Sequence, residues 1–250
     1  MFEILNQIKE AWNNNKFILL YDSDKREGEV DMVLPSQLIQ PYHIAELREH
    51  AGGLICTALA DEICRNITLP FLSTIYEAMS SVYPIINLMS SHKLPYGAKS
   101  SFSVSVNHVK AFTGITDVDR ALTISALGEI SDKFATSKLT RVEITNEFGS
   151  TFRIPGHVPI LRGAHGLMKK RKGHTELSLA LCEITNHAPS ATMCEMMDSK
   201  NNKALSIEDA KNLGEQFDFP YIDGKTIINL WRSIKKINKN EIIPDYGEKK

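Results

Sequence analysis

FILLYDSDKREGEVDMVLP, residues 17–35, sets two short apolar runs on either side of a highly charged segment. Phe17–Tyr21 is apolar throughout and reads as a buried strand. MVLP, residues 32–35, reads as a second strand stopped by Pro35. Between them, Asp22–Asp31 holds Asp22, Asp24, Glu27, Glu29 and Asp31, with Lys25 and Arg26 interleaved. Carboxylates crowded in this way repel one another. Either solvent relieves the repulsion, in an exposed hairpin loop, or a bound divalent cation does. The segment lacks the glycine and glutamate spacing of an EF-hand. A loop held between rigid strands is a common place for chemistry, and Gly28 permits close backbone approach to a ligand.

Outward from this segment, residues 2–15 read as an amphipathic helix on Phe2, Leu5, Ile8 and Trp12. A helix is expected after Pro41, ended by Gly52–Gly53, and a strand at LICTAL, residues 54–59. Residues 75–101 have weak periodicity, and their middle reads as connection. SFSVSVNHV, residues 101–109, alternates as a half-solvated strand does. Asp117–Ile130 reads as a helix with Asp117 as its N-cap. Prolines break FRIPGHVPIL, residues 152–161, into short extended pieces. LSLALCEI, residues 177–184, reads as a buried helix, with a strand as the alternative that a short apolar run leaves open. Residues 231–250 read as a polar tail behind a domain spanning 1–230.

The 250 residues are 42% apolar and 24% charged, which excludes wholesale disorder, collagen and coiled coil. Lys+Arg is 29 against Asp+Glu 30, a balance that argues against a dedicated nucleic-acid surface. Cys56, Cys64, Cys182 and Cys194 form no CxxC pair. The first residues lack a secretory apolar core, and no apolar run reaches the ~18 residues of a membrane span. These features predict a cytoplasmic chain with free thiols and no membrane partner, two disulfides being the alternative.

A second charged segment, HGLMKKRKGHTE, covers residues 165–176. A helix beginning after Gly173 would offer its free N–H groups, Arg171 and the Thr175 hydroxyl as a phosphate cradle. His174 could join Glu27 in a sparse cation site completed by waters and substrate oxygens. KKRK is otherwise a solvated basic turn or a nucleic-acid contact. His157 in IPGHVP reads as a solvent-facing residue or a positioned base. Glu195 in TMCEMM is a charge in an apolar setting, so it is paired or moves protons. Cys56 reads as a buried apolar thiol.

Together RExExD at 26–31, TGxTxxDR at 113–120, PGH at 155–157, GHTE at 173–176 and CE at 194–195, in that order, resemble the 3,4-dihydroxy-2-butanone 4-phosphate synthase family of riboflavin biosynthesis. The likeness runs from about residue 17 to residue 222. CEMM followed by DSKNNKAL is similar to the archaeal, stand-alone branch, without a fused GTP cyclohydrolase II domain. Lys25, Gly28 and the pair Arg153–Ile154 depart from the common bacterial pattern.

The resemblance implies an α+β fold: one domain, a mixed β-sheet flanked by helices in a layered arrangement. It implies a homodimer with active sites near the interface. The implied reaction converts D-ribulose 5-phosphate to L-3,4-dihydroxybutan-2-one 4-phosphate and formate, using Mg²⁺, with Mn²⁺ as the alternative ion, and no organic cofactor. Glu27 and His174 are the implied metal ligands. His157, Glu195, Glu29 and Asp31 are the implied catalytic positions. Substrate contacts are implied for Arg26, Glu27, Asp31, Thr113, Arg171, Lys172, Gly173, His174, Thr175 and Glu195. Another Mg²⁺-dependent sugar-phosphate isomerase or lyase, or an inactive relative that binds RNA or protein, is the competing reading.

Overall fold

The computed structural model describes residues 2–90, 100–137 and 139–241. Strand β1 (Ile18–Tyr21) and strand β2 (Val30–Pro35) are the two apolar runs of the opening segment, paired antiparallel with Leu20 opposite Asp31. Every residue of β2 is buried, because both faces of the sheet are covered and alternation disappears. Val30 and Asp31 belong to β2, so the charged loop is shorter at its far end than the sequence suggests.

Helix α1 (Phe2–Asn13) buries Leu5, Ile8, Ala11 and Trp12 on one face. Helix α2 (Pro41–Glu46) starts on Pro41, runs on through a π turn at Leu47–Ala51, and stops at Gly52, whose φ of 85° is left-handed. Strand β3 (Cys56–Leu59) and helix α3 (Asp61–Asn66) follow.

The stretch expected to be connection contains helices α4 (Leu72–Met79) and α5 (Pro84–Ser90). Helix α4 has a stripe of Leu72, Ile75, Tyr76 and Met79, but the stretch read from residue 75 onward begins inside it. No residue of α4 is buried, and Ile85 and Leu88 are exposed. Residues 91–99 of that stretch lie outside the described residues.

Strand β4 (Phe102–His108), helix α6 (Asp117–Thr136) and helix α7 (Arg141–Thr151) come next. Thr116, not Asp117, caps α6: its side chain accepts the Asp119 N–H. The helix runs past Ile130, with Ile124, Leu127 and Ile130 buried. FRIPGHVPIL is not broken; it is one strand, β5 (Phe152–Arg162). Strand β3 pairs only with Ile160–Arg162, so Pro155 and Pro159 lie where β5 has β4 alone as neighbour, with register shifts that spare the missing donors.

Helix α8 (His174–Thr185) is buried almost throughout, which settles LSLALCEI as helix. Strands β6 (Ser190–Glu195), β7 (Met197–Asp198) and β8 (Lys203–Ala204), helix α9 (Ile207–Phe217), strand β9 (Tyr221–Asp223) and helix α10 (Gly224–Glu241) complete the described chain. The expected tail boundary at 231 falls inside α10. Ile227, Leu230 and Trp231 are buried and the Trp231 indole donates to Glu183 at 2.6 Å, so the boundary cuts through a packed apolar face. Residues 242–250 of that tail lie outside the described residues.

Seven strands form one mixed sheet in the order β4-β5-β3-β6-β2-β1-β9, with β3–β5 and β1–β9 parallel and the other pairs antiparallel. Helix α6 packs with α2 and against β4, β5 and β6; helix α8 packs with α10 and against β3, β6, β1 and β2. This is the expected layered mixed sheet flanked by helices. No helix among the described residues is long and apolar enough to cross a membrane. All four cysteines are buried free thiols.

Candidate active site

Strands β2 and β6 are neighbours at the centre of the sheet, and their register sets Asp31 directly opposite Glu195. Two carboxylates therefore face each other across one strand pair. Glu195 accepts the Leu54 N–H at 2.8 Å, and its carbonyl accepts the Gly53 N–H at 3.0 Å. A Cβ at Gly53 would come within 2.5 Å of Glu195, so only glycine allows this approach.

The charged loop folds around Asp22. Its buried carboxylate accepts N–H bonds from Glu27, Gly28 and Glu29 at 3.1, 3.0 and 3.4 Å. Three amides converging on one anion give the loop a fixed shape, and Gly28 completes the bend with φ of 69°. Asp24 and Lys25 face solvent. Glu27 turns toward the N-terminus of α8.

There His174 is buried, with Nδ1 3.2 Å from the Glu27 carboxylate and Nε2 3.1 Å from the Glu29 carbonyl. The Asp31 carboxylate lies 3.5 Å from Nε2. Arg26 lies 3.6 Å from both Glu27 and Asp22, with its guanidinium against Gly173.

Glu27, Glu29, Asp31, Cys56, Arg171, His174, Thr175 and Glu195 line one cavity of about 250 Å³. Burial, reinforced by Glu195, Glu27 and Glu29 and opposed by His174, pushes the Asp31 carboxyl up to about 7. Burial and the charges of Glu195 and Glu27 also raise Glu29. Burial alone would lower His174, but Asp31, Glu27 and Asp22 outweigh it and lift the imidazole to about 9. Burial, with Glu195 and Asp31 adding to it, raises the Cys56 thiol, so it stays protonated.

The donor set suits a hard divalent cation. The Glu29 carbonyl at Nε2 and the Glu27 carboxylate at Nδ1 can only accept, so the protonated imidazole donates to both, and a cation held with Glu27 would replace the Nδ1 proton while Nε2–H stays on the carbonyl. Ligand atoms of Asp22, Glu27 and His174 lie within 4.8 Å of one another. Oxygen ligands with one imidazole match Mg²⁺ or Mn²⁺ better than softer metals.

The expected residues do not all meet. Thr113 and His157 are exposed and lie outside the cavity lining, as do the exposed Lys172 and the adjoining pair Arg26 and Gly173. Thr113 and His157 instead form a second constellation around Asn107. The Asn107 side chain accepts the His157 N–H at 2.8 Å and lies against Gly114, where a Cβ would be 2.1 Å away. Asp119 gathers the adjoining loop by accepting N–H bonds from Phe112, Thr113 and Gly114. Arg153 donates to the Ala111 carbonyl at 3.0 Å and so supports this loop. The sequence marks Asp22 as one of the crowded carboxylates and Asp119 as part of TGxTxxDR, while Asn107 stands in no motif; accepting backbone amides is a role with no residue-type signature of its own.

The family model for 3,4-dihydroxy-2-butanone 4-phosphate synthase matches residues 6–230. The chain belongs to this family. It is therefore an enzyme, with the synthase activity of riboflavin biosynthesis. The synthase of Methanothermobacter thermautotrophicus is 39% identical over 236 residues, covering 93% of this chain and 99% of the relative. That of Archaeoglobus fulgidus is 39% identical over 228 residues, 91% of this chain and 93% of the relative. Both are archaeal, as the CEMM stretch suggests. A solved synthase structure in complex with two magnesium ions superposes with a TM-score of 0.67 at 21% identity, over 95% of this chain and 97% of that one, and shares the fold.

Proposed function

We propose that the chain converts D-ribulose 5-phosphate to L-3,4-dihydroxybutan-2-one 4-phosphate and formate. The observation that carries this reading is the single cavity in which Glu27 and His174 adjoin three further carboxylates and Arg171. Glu27 and His174 would hold Mg²⁺ or Mn²⁺, which when bound supplies Lewis-acid stabilisation to an enediolate.

The chain's own residues supply the rest. Arg171, Thr175 and the first amides of α8 take the phosphate at a helix N-terminus. Gly173 gives that turn its open backbone, Arg26 and Asp31 hold the sugar hydroxyls, and Lys172 adds positive charge at the entrance. A carboxylate removes the C3 proton beside the C2 ketone, giving the enediolate. Loss of the C1 hydroxyl as water and tautomerisation leave a diketone. Migration of the carbon skeleton and readdition of water then expel C4 as formate. Water lost equals water regained, no electrons leave the substrate, and no organic cofactor is required. Several proton transfers need several groups. Asp31, raised to about 7, suits exchange at neutral pH, with Glu29 and Glu195 beside it.

His157 completes the set through a second copy of the chain. Supporting this, the face carrying Thr113 and His157 also exposes Phe112, Ile115, Val118 and Ile154, an apolar surface that a homodimer would cover. Four buried thiols fit a reducing, cytoplasmic setting.

The test of the reaction is product analysis. Purified protein with D-ribulose 5-phosphate and Mg²⁺ should release one formate per sugar phosphate consumed; consumption without formate would indicate an isomerase. The test of the shared site is complementation. Glu27→Gln and His157→Ala proteins, each inactive, should regain about a quarter of full activity after mixed dimers form, since each mixed dimer keeps one intact site. No regain would show that His157 is not supplied by the second copy.

A further inference from the structure

Glu176 has no part in the chemistry described so far, yet it is fully buried beside it. It stands at the third position of α8. One carboxylate oxygen accepts the Ala164 N–H at 3.1 Å and the other the Gly173 N–H at 3.4 Å. These two amides are the entry and exit of the basic loop, residues 164–173. A single side chain thus closes the loop at both ends. Between them lies Arg171, whose guanidinium comes within 3.7 Å of the same carboxylate.

That distance is too long for a hydrogen bond. Arg171 Nε and Nη1 have no hydrogen-bond partner among the described residues, although both are shielded from solvent. Glu176 has spent its oxygens on backbone amides. It therefore orients Arg171 by charge without consuming its N–H donors. Arg171 lines the cavity with its donors unspent. A buried guanidinium with unused donors is a strong binder for a dianionic group that can satisfy them.

We propose that Glu176 is the positioning residue of the phosphate site: it clamps the 164–173 loop and aims Arg171 at the substrate phosphate. The proposal rests on the reading of Arg171 as the phosphate-binding arginine. It predicts an effect opposite in sign to simple electrostatics. A carboxylate acting only as a counter-charge weakens phosphate binding, so its removal would tighten it. A positioning carboxylate does the reverse.

The test uses inorganic phosphate as competitive inhibitor of the full-length, metal-loaded enzyme. Glu176→Gln keeps the shape of the side chain and one acceptor. It should raise both the inhibition constant of phosphate and KM by about 10-fold, with kcat changed far less, as for a lost charge-assisted contact. Arg171→Ala should do the same, and the double variant should be no worse than Arg171→Ala alone, because Glu176 acts through that arginine. Glu176→Asp, which keeps the charge but withdraws it by one methylene, should show the same split in milder form and covers the case of an unstable Gln variant. An unchanged or lowered inhibition constant in the Glu176 variants, with Arg171→Ala still raising it, overturns the proposal alone. Multiplicative losses in the double variant overturn it too. An unchanged constant in Arg171→Ala overturns the phosphate reading beneath it.

Discussion

Glu27 and His174 stand 147 positions apart in the chain and 3.2 Å apart in the fold. The contact exists because two independent pieces of structure converge. Asp22 gathers the loop after β1 so that Glu27 projects from it, and α8 begins at Gly173 so that His174 opens its first turn. The Glu29 carbonyl then fixes which imidazole nitrogen is left to face Glu27.

Cation binding should compete with a proton on His174. Asp31, Glu27 and Asp22 overcome the effect of burial and hold that imidazole protonated up to about pH 9. A ligating histidine must be neutral, so the cation has to displace the proton. Affinity for Mg²⁺ or Mn²⁺ should fall by up to about tenfold for each unit that pH drops below 9, and each cation bound at pH 7 should release about one proton. Calorimetric titration in two buffers of different ionisation enthalpy measures both. Affinity independent of pH from 6 to 9 would contradict the arrangement.

Gly173 leaves room for Arg26. A Cβ there would approach the Arg26 guanidinium to 2.8 Å, a contact that a flexible side chain can escape only by moving. Gly173→Ala should therefore displace Arg26 and raise KM several-fold while the melting temperature shifts by less than about 4 °C, since the backbone at this position is extended and unstrained. A large loss of melting temperature with unchanged KM would show that the glycine serves folding instead.

Stability should carry an acid-sensitive contribution from Asp61. Burial would raise its carboxyl, but bonds from Arg162, His165 and Arg65 outweigh burial and hold it below the usual carboxylate range. A depressed folded-state pKa means the contribution is complete above the unfolded value of about 3.9 and is lost as pH falls through the folded one. Asp61→Asn should cost about 2 kcal/mol at neutral pH, the scale of hydrogen bonds to a charged group, and far less at the acid end. Urea denaturation at pH 7 and pH 3 tests the difference; an equal cost at both would remove the charge from the explanation.

The central strands were readable because β1 and β2 are nearly continuous apolar runs with a loop of unmistakable charge between them. Helix α8 was readable from Gly173 and the apolar run behind it. Helix α4 carries a stripe of Leu72, Ile75, Tyr76 and Met79, spaced i, i+3, i+4 and i+7, which a connection read from residue 75 onward cuts apart. Strand β5 was hidden by Pro155 and Pro159, whose tolerance depends on the limited reach of β3. Helix α10 has Ile227, Leu230, Trp231 and Ile234 spaced i, i+3, i+4 and i+7 on the core, a stripe that a tail boundary at 231 cuts in two. In the site, Glu27, Glu29, Asp31, His174, Thr175, Arg171 and Glu195 converge as their motifs imply. What Asp22 and Glu176 do was not legible, since their partners are backbone amides that only the fold brings to them.

Manganese titration followed by electron paramagnetic resonance tests the junction of Glu27 and His174 most directly. The unsubstituted protein should bind Mn²⁺, and Glu27→Gln and His174→Gln should each weaken binding by at least about 100-fold, the upper range seen when even an outer partner of a metal ligand is lost. Formate release should fall in step. Two folded variants that bind Mn²⁺ as tightly as the parent would contradict the account.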